Sequence, residues 1–403
     1  MASIDRTGRN GKAHFCRPPR HGILKPGRPK QAGFKQNRQP PAFNRIMLNI
    51  LNLEYHELNS LITGELKQPA FRSMQVWKWL WQRGARSFDQ MTNISKDLRA
   101  ELASRAQIVW PEVEKRQESS DGTVKFLLRL SDGALVETVL IPGAKGRVTQ
   151  CLSCQVGCAM ACTFCSTGNM GFTRNMSMQE ILGQVLVARE FLGDSPENPV
   201  LRNLVFMGMG EPLLNLNEVM RSLRALNHEN GLSFSPRRIT VSTCGIRNGL
   251  VELGESGLAF LAVSLHATTQ DQRAQIMPKA AAWKLEDLIN TLQNYPLKTR
   301  ERMTFEYLLL GGVNDSIEDA QRLVRILSRV KGKLNIIVYN PAQGLPYKAP
   351  SEENILAFEK YLWSKNITAI LRQSKGQDID AACGQLKTAH LQEIALPSCK
   401  NPA

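Results

Sequence analysis

The chain has 403 residues, 42% hydrophobic, 6% aromatic and 22% charged, with nine cysteines and a formal net charge of +15. That length carries roughly two to three domains and a sizeable core, and the cysteines are too sparse for a disulfide scaffold. The most apolar stretch, Gly257 to Leu265, is about half the ~18 residues a membrane-spanning helix needs, and no signal-peptide core opens the chain, which together exclude a transmembrane protein.

Residues 1–46 hold eleven Lys and Arg against Asp5 alone, so two-thirds of the excess positive charge sits there. With six prolines, five glycines and no apolar period, the stretch reads as a disordered tail. It is either a basic arm for nucleic-acid phosphates or sequence ahead of a true start at Met47. Residues 47–106 then show a helical period, with Phe71, Met74, Val76, Trp77, Leu80 and Trp81 on one face and Ser95 as N-cap of a helix through Leu98 and Leu102. Next, residues 107–143 carry a hairpin, Thr123–Leu130 and Ala134–Ile141 around Ser131-Asp132-Gly133. From 144 to 391 strands and helices alternate. Ser177 and Glu180 form a capping box, a helix spans Leu216–Asn227, and strands recur at 203–207, 238–242, 260–265, 304–310, 334–338 and 368–372. Counting a strand before the cysteines, about six such units predict an α/β fold, a partial (βα)6 barrel too short to close, followed by a tail at 392–403. Chemistry is then expected in the loops at the carboxyl ends of the strands.

Five of the nine cysteines fall between Cys151 and Cys165, a clustering that points to a metal site in a reducing cytosol. Only Cys158, Cys162 and Cys165 make a C-x3-C-x2-C spacing. Three thiolates can hold a 4Fe–4S cluster with one iron left open. A structural zinc site, the competing reading, wants four closed ligands, and the second half of such a pair is absent. Downstream, Gly208-Met209-Gly210-Glu211-Pro212 ends a strand with an acid placed to pair with an ammonium. Other strand ends carry Ser242, the triplet Ser264-Leu265-His266, and Asn340-Pro341; singly each reads as a cap, a core histidine or a turn.

The cysteine motif, with Phe164 before its last cysteine, resembles the radical S-adenosylmethionine superfamily, and Gly210-Glu211 resembles the segment that grips the methionine amino group there. Around them stand Cys151-Leu152-Ser153-Cys154, Val136-Glu137-Thr138-Val139, Ser166-Thr167-Gly168 and Asp378-Ile379-Asp380-Ala381-Ala382-Cys383-Gly384. Together these resemble the RlmN-type adenine methyltransferases of 23S rRNA and tRNA, over about Met47 to Leu391. The resemblance implies one 4Fe–4S cluster on Cys158, Cys162 and Cys165. It also implies two S-adenosylmethionine molecules per turnover, bound by Gly210, Glu211, Ser242, Ser264, Leu265, His266 and Asn340. One methylates Cys383; the other yields a radical that takes hydrogen from that S-methyl group, whose carbon adds to adenine carbon 2. Glu137 matches the family's proton acceptor, and Cys151 the thiol that frees the product through a transient disulfide with Cys383. Cys154 departs from the family, where serine is usual; Cys16, Cys244 and Cys399 read as incidental.

A helical RNA-gripping domain with Lys78, Arg83, Arg86 and Lys96 is also implied, while Arg237-Arg238 and Lys298, Arg300 and Arg302 read as phosphate contacts or as solvated faces. The base must be unstacked before chemistry reaches it. A flavodoxin-type electron donor, a monomeric state, no membrane contact and a cytoplasmic location complete the expectation. The rivals are the related adenine carbon-8 methyltransferase of antibiotic resistance and a non-catalytic iron–sulfur or zinc RNA-binding module.

Overall fold

Caps and apolar faces set where the elements begin and end in the computed structural model, which describes residues 47–388 apart from Gln343. The expectations for residues 1–46, for 392–403, and for Cys16 and Cys399 fall outside the described residues. The first elements are β1 (Leu48–Asn49), α1 (Tyr55–Ser60), α2 (Phe71–Trp81), α3 (Lys96–Arg105) and β2 (Ala106–Gln107), with β1 and β2 paired in parallel. Helix α2 buries Val76, Trp77, Leu80 and Trp81 of the expected face, but Met74 is half-buried and Phe71, in the first turn beside Arg72, is exposed. The Ser95 hydroxyl accepts the Leu98 N–H and starts α3.

Strands β3 (Glu112–Glu118), β4 (Val124–Arg129) and β5 (Leu135–Pro142) form an antiparallel meander, and β5 pairs antiparallel with β6 (Val148–Cys151). Strand β3 has no counterpart in the sequence reading: Glu-Val-Glu-Lys-Arg-Gln-Glu is almost wholly exposed and shows no apolar alternation. After β6 come β7 (Gln155–Gly157), α4 (Ser166–Asn169) and β8 (Phe172–Asn175), with β7 and β8 paired antiparallel. Next are α5 (Met178–Leu192), opened by the Ser177–Glu180 capping box, then β9 (Leu201–Phe206), α6 (Leu216–Asn227), β10 (Ile239–Thr243) and α7 (Arg247–Ser256). The chain continues through β11 (Phe260–Ser264), α8 (Gln270–Ile276), α9 (Leu285–Gln293), β12 (Met303–Leu309), α10 (Ile317–Leu327), β13 (Gly332–Val338), α11 (Glu352–Ser364) and β14 (Ala369–Arg372).

Strands β6 and β9 to β14 run parallel in one open ten-stranded sheet, β14-β13-β12-β11-β10-β9-β6-β5-β4-β3. This is the partial barrel: six strand–helix units, with β14 as the terminal strand and the hairpin region continuing the sheet. Successive side chains of a strand point to opposite faces. Val241, Val263, Phe305, Tyr307, Leu334 and Ile336 enter the main apolar core, where Tyr307 stacks on Phe358 of α11 with ring centroids 5.7 Å apart. The alternate positions, Ser242, Ser264, Glu306 and Asn335, therefore face the barrel lumen. That core runs unbroken from Ile50 and Trp77 into the barrel, so residue 106 is no break in packing. Among the described residues no helix is long and apolar enough to cross a membrane.

Candidate active site

The cysteine loop leaves β7 and returns through β8, so a short antiparallel pair closes its neck. The Cys158 N–H donates to the Gly171 carbonyl at 2.7 Å. Gly157 sits at φ +75°, and a Cβ there would lie 2.0 Å from the Gly171 oxygen, so only glycine lets the two sides meet. Cys165 precedes α4, and its N–H donates to the Cys162 carbonyl at 3.1 Å. Burial pushes the Cys158 thiol up to about 11 and raises Cys162 and Cys165 too, while the Gly168 and Thr167 amides draw Cys165 back toward the thiolate.

Arg273 of α8 lies in the same region, fully buried, with its Nε unpartnered. It donates to the Leu265 carbonyl at 3.2 Å and the Cys244 carbonyl at 2.5 Å, and touches the Met277 thioether at 3.8 Å; none of these is a carboxylate. Its positive charge acts on Cys162 and Cys244. A buried cation wants a counter-charge, and three thiolates with an iron–sulfur core supply one. Each of the three thiolates can bind a separate iron of a 4Fe–4S core, whereas a structural zinc ion takes four closed ligands, so the three-cysteine donor set suits a cluster.

The Gly-Met-Gly-Glu-Pro loop follows β9. Gly210 has φ +106°, and a Cβ on it would come within 2.6 Å of Gln155 Cβ. The Gln155 Oε1 accepts the Glu211 N–H at 2.8 Å, which fixes this loop to the strand entering the cysteines. Buried Glu211 accepts from the Leu213 N–H at 3.0 Å and the Cys244 N–H at 2.9 Å; burial raises its carboxyl and these amides pull it down. Ser242 and Ser264 bring their hydroxyls to 3.3 Å at the ends of β10 and β11. His266, at φ +52°, uses Nδ1 to accept the Leu308 N–H at 3.1 Å and meets Phe164 edge to face. Burial, helped by Arg273, lowers His266 to about 3, so the ring is neutral. Leu265 is fully buried, with its N–H on the Glu306 carbonyl and its own carbonyl on Arg273; it shapes the strand end and offers no free polar group. Asn340 is tied to Ser374 at 2.7 Å and to Gln377 at 2.9 Å.

The C-terminal segment lands on this face. The Ser166 N–H donates to the Gly384 carbonyl at 2.7 Å, and the Thr167 hydroxyl to the Leu386 carbonyl at 2.6 Å. Cys383 thus stands at the mouth of the cysteine loop. The residue is exposed at its rim, yet the walls around the thiol, with the Glu306 charge next, push it up to about 11. Cys151, at the end of β6, is raised by burial and then by Cys383, whereas the charges acting on Cys154 are Glu211, Cys158 and Cys151. Glu137 of β5 is buried; its Oε2 accepts the Lys387 N–H at 2.8 Å and its carbonyl accepts the Ser153 hydroxyl at 2.5 Å.

Sequence reasoning missed the partner of Glu137. Lys125 of β4, itself 6% exposed, places Nζ 3.2 Å from Glu137 Oε1 and 3.2 Å from the Asp380 carbonyl. Burial raises the Glu137 carboxyl and Lys125 opposes that rise. The one available signal was a lysine inside a strand otherwise buried along its length. Of the expected basic contacts, Arg86 is spent on Glu190 and on the Trp110 ring, and Arg83 lies over Trp79.

Known proteins resemble this chain in sequence and in overall fold. A family profile described as "Ribosomal RNA large subunit methyltransferase N-terminal domain" matches residues 48–108, and one described as "Radical SAM superfamily" matches 152–324. A "Dual-specificity RNA methyltransferase RlmN" of Nitratidesulfovibrio vulgaris is 74% identical over 351 residues, covering 86% of this chain and 96% of that protein. The chain belongs to the RlmN family. Another RlmN, from Lawsonia intracellularis, is 59% identical, covering 86% of this chain and 98% of its own. A radical SAM methyltransferase structure from Sphaerobacter thermophilus superposes with a TM-score of 0.79 at 39% identity, over 84% of this chain and 99% of that one. The radical SAM fold of the RlmN family implies a 4Fe–4S cluster and S-adenosylmethionine.

Proposed function

We propose that this chain methylates carbon 2 of adenine in 23S rRNA and in tRNA, with Cys383 as methyl carrier, Glu137 as proton acceptor and Cys151 as the releasing thiol. One observation carries this reading. A single segment, residues 383–387, is hydrogen-bonded to the cysteine loop through Gly384 and Leu386 and to the Glu137 carboxylate through the Lys387 N–H. Carrier, acceptor and cluster loop are held in one place. When bound, the 4Fe–4S cluster and two S-adenosylmethionine molecules supply the methyl group and the one-electron chemistry that activates it.

Cys158, Cys162 and Cys165 would hold three irons and leave the fourth for S-adenosylmethionine. Glu211 would take its ammonium, with Gly210, Ser242, Ser264, Leu265, His266 and Asn340 around the rest. The Cys383 sulfur positions the transferred carbon over the base. Glu137, ionised beside Lys125, then accepts the proton from carbon 2 at its carboxylate. On release the Cys151 thiolate would attack the Cys383 sulfur and form a disulfide as the carbon–sulfur bond breaks; the transferred methylene carbon would keep that bonding pair and take a proton to become the methyl group, and the unpaired electron of the adduct would pass back to the bound cluster. A flavodoxin-type donor, a monomer and a cytoplasmic setting belong to the same reading.

Anaerobic reconstitution with iron and sulfide, followed by incubation with rRNA fragments and nucleoside mass spectrometry, tests it. The parent yields 2-methyladenosine and Cys383→Ala none. Product at the parent's level from Cys383→Ala, or 8-methyladenosine from the parent, overturns it.

A further inference from the structure

Two members of one polar row in the barrel lumen, Glu306 and Asn335, have no role in the chemistry above. Ser264 of β11 is in register with Glu306 of β12, and Glu306 with Asn335 of β13, so the three stand side by side across adjacent parallel strands, about 4.8 Å apart. Ser242 extends the row through its hydroxyl contact with Ser264. Position along the barrel is fixed by the next lumen-facing residues of the same two strands. Leu308 and Ile337 pack with Met160, Phe164 and the three motif cysteines. Glu306 and Asn335 therefore lie one layer beneath the cysteine loop.

Both side chains are deeply buried, at 6% and 4% exposure. Asn335 Nδ2 donates to Glu306 Oε1 at 2.8 Å, which uses one of the two amide hydrogens. Asn335 Oδ1 has no partner at all. Buried unpaired acceptors are costly, and a pair in which acceptors outnumber donors suits a ligand that donates. The Glu306 charge is also the leading one acting on the Cys383 thiol. Burial raises the Glu306 carboxyl while Arg372 and Lys333 oppose the rise from a distance.

We infer that Glu306 and Asn335 form an acceptor pair for the donor groups of an adenosine, which are the ribose hydroxyls of S-adenosylmethionine or the amino group of the RNA adenine. The inference deepens the function proposed above and rests on it for the identity of the ligand. The pair continues the Ser242–Ser264 surface with two acceptor-rich residues whose chemistry is complementary to hydroxyl or amine hydrogens. Reading an adenine through its amino group would favour it over guanine, whose corresponding position is an acceptor.

The test uses the reconstituted holoenzyme and two probes. Equilibrium dialysis measures S-adenosylhomocysteine affinity for the parent, Glu306→Gln, Asn335→Ala and Tyr307→Phe, the last altering the opposite face of β12. In parallel, kcat/KM is compared on an rRNA fragment with adenosine, and on one with purine riboside, at the target position. If the row holds the cofactor ribose, Glu306→Gln and Asn335→Ala weaken S-adenosylhomocysteine about tenfold, the loss of a hydrogen bond to a charged or buried partner. If it reads the RNA base, cofactor affinity is kept and the two variants lose the parent's preference for adenosine over purine riboside. Either result supports the pair. Both readouts within twofold of the parent in both variants, as expected of Tyr307→Phe, overturn it. A parent that binds no S-adenosylhomocysteine instead refutes the proposed function itself.

Discussion

Two regions of the molecule handle buried charge in opposite ways. Where α6 packs against the N-terminal helices, each charge meets its opposite: Arg221 bonds Glu57 at 2.8 Å and Glu218 at 3.1 Å, and Arg224 bonds Glu54 at 2.6 Å. At the cysteine end the charges are deeper and less complete. Arg273 touches carbonyls and a thioether, Glu211 is held by amides, and Glu306 faces a single amide. The first region is electrostatically finished by protein alone. The second leaves its balance to be completed by what binds, and pairs Glu137, the proton acceptor we propose, with a lysine.

Substitutions can break or sharpen this contrast. The largest effect belongs to Glu137→Gln, which keeps shape and removes the base. Methylation falls about 10²–10⁴-fold, and a protein–RNA adduct accumulates on denaturing gels; a rate within fivefold of the parent would show that another group takes the proton. Next is Lys125→Met, which strands a buried carboxylate. Denaturant unfolding should register a loss of about 3–5 kcal/mol. Since Lys125 holds the Glu137 pKa down against burial, its removal raises that pKa, and the acid limb of the pH–rate profile moves to higher pH. An unmoved limb means Glu137 is not the titrating base.

Arg273→Met should be smaller and of a different kind. The metal-free protein loses little stability, because the cation has no acidic partner to orphan. In the loaded enzyme the removed positive charge disfavours the reduced cluster about tenfold, or about 59 mV toward negative potential, read by EPR-monitored titration; a shift of opposite sign counts against Arg273 as counter-charge. The least effect is expected outside the site. Arg86→Ala removes an exposed pair with Glu190 and a contact 4.0 Å from the Trp110 ring, worth under about 1 kcal/mol in a thermal melt.

Much of this was legible from residue order. Alternating strands and helices gave the barrel because each strand is buried on the helix side, and C-x3-C-x2-C located the loop because the chemistry demands that spacing. The neck of the loop was not legible: Gln155–Gly157 and Phe172–Asn175 are too short for a period to emerge. Lys125 and Arg273 escaped notice because a lone basic residue in a strand or helix ordinarily faces water, and only tertiary packing buries these two. Glu306 and Asn335 did leave a trace, as polar residues inside apolar strands, but their alignment depends on register between strands far apart in sequence. Cys151 and Cys383 are separated by most of the barrel in sequence, so no local spacing relates them.

The order in which the parts leave the ribosome has a consequence of its own. The Gly376 amide docks on Asp121, the Lys375 ammonium on the Pro142 carbonyl, and Asp378 receives the Ser120 amide, so the finishing strap fastens to a hairpin synthesised some 250 residues earlier. A chain cut short ahead of that strap would leave the Asp121 carboxylate, the Pro142 carbonyl and the Ser120 amide without these partners.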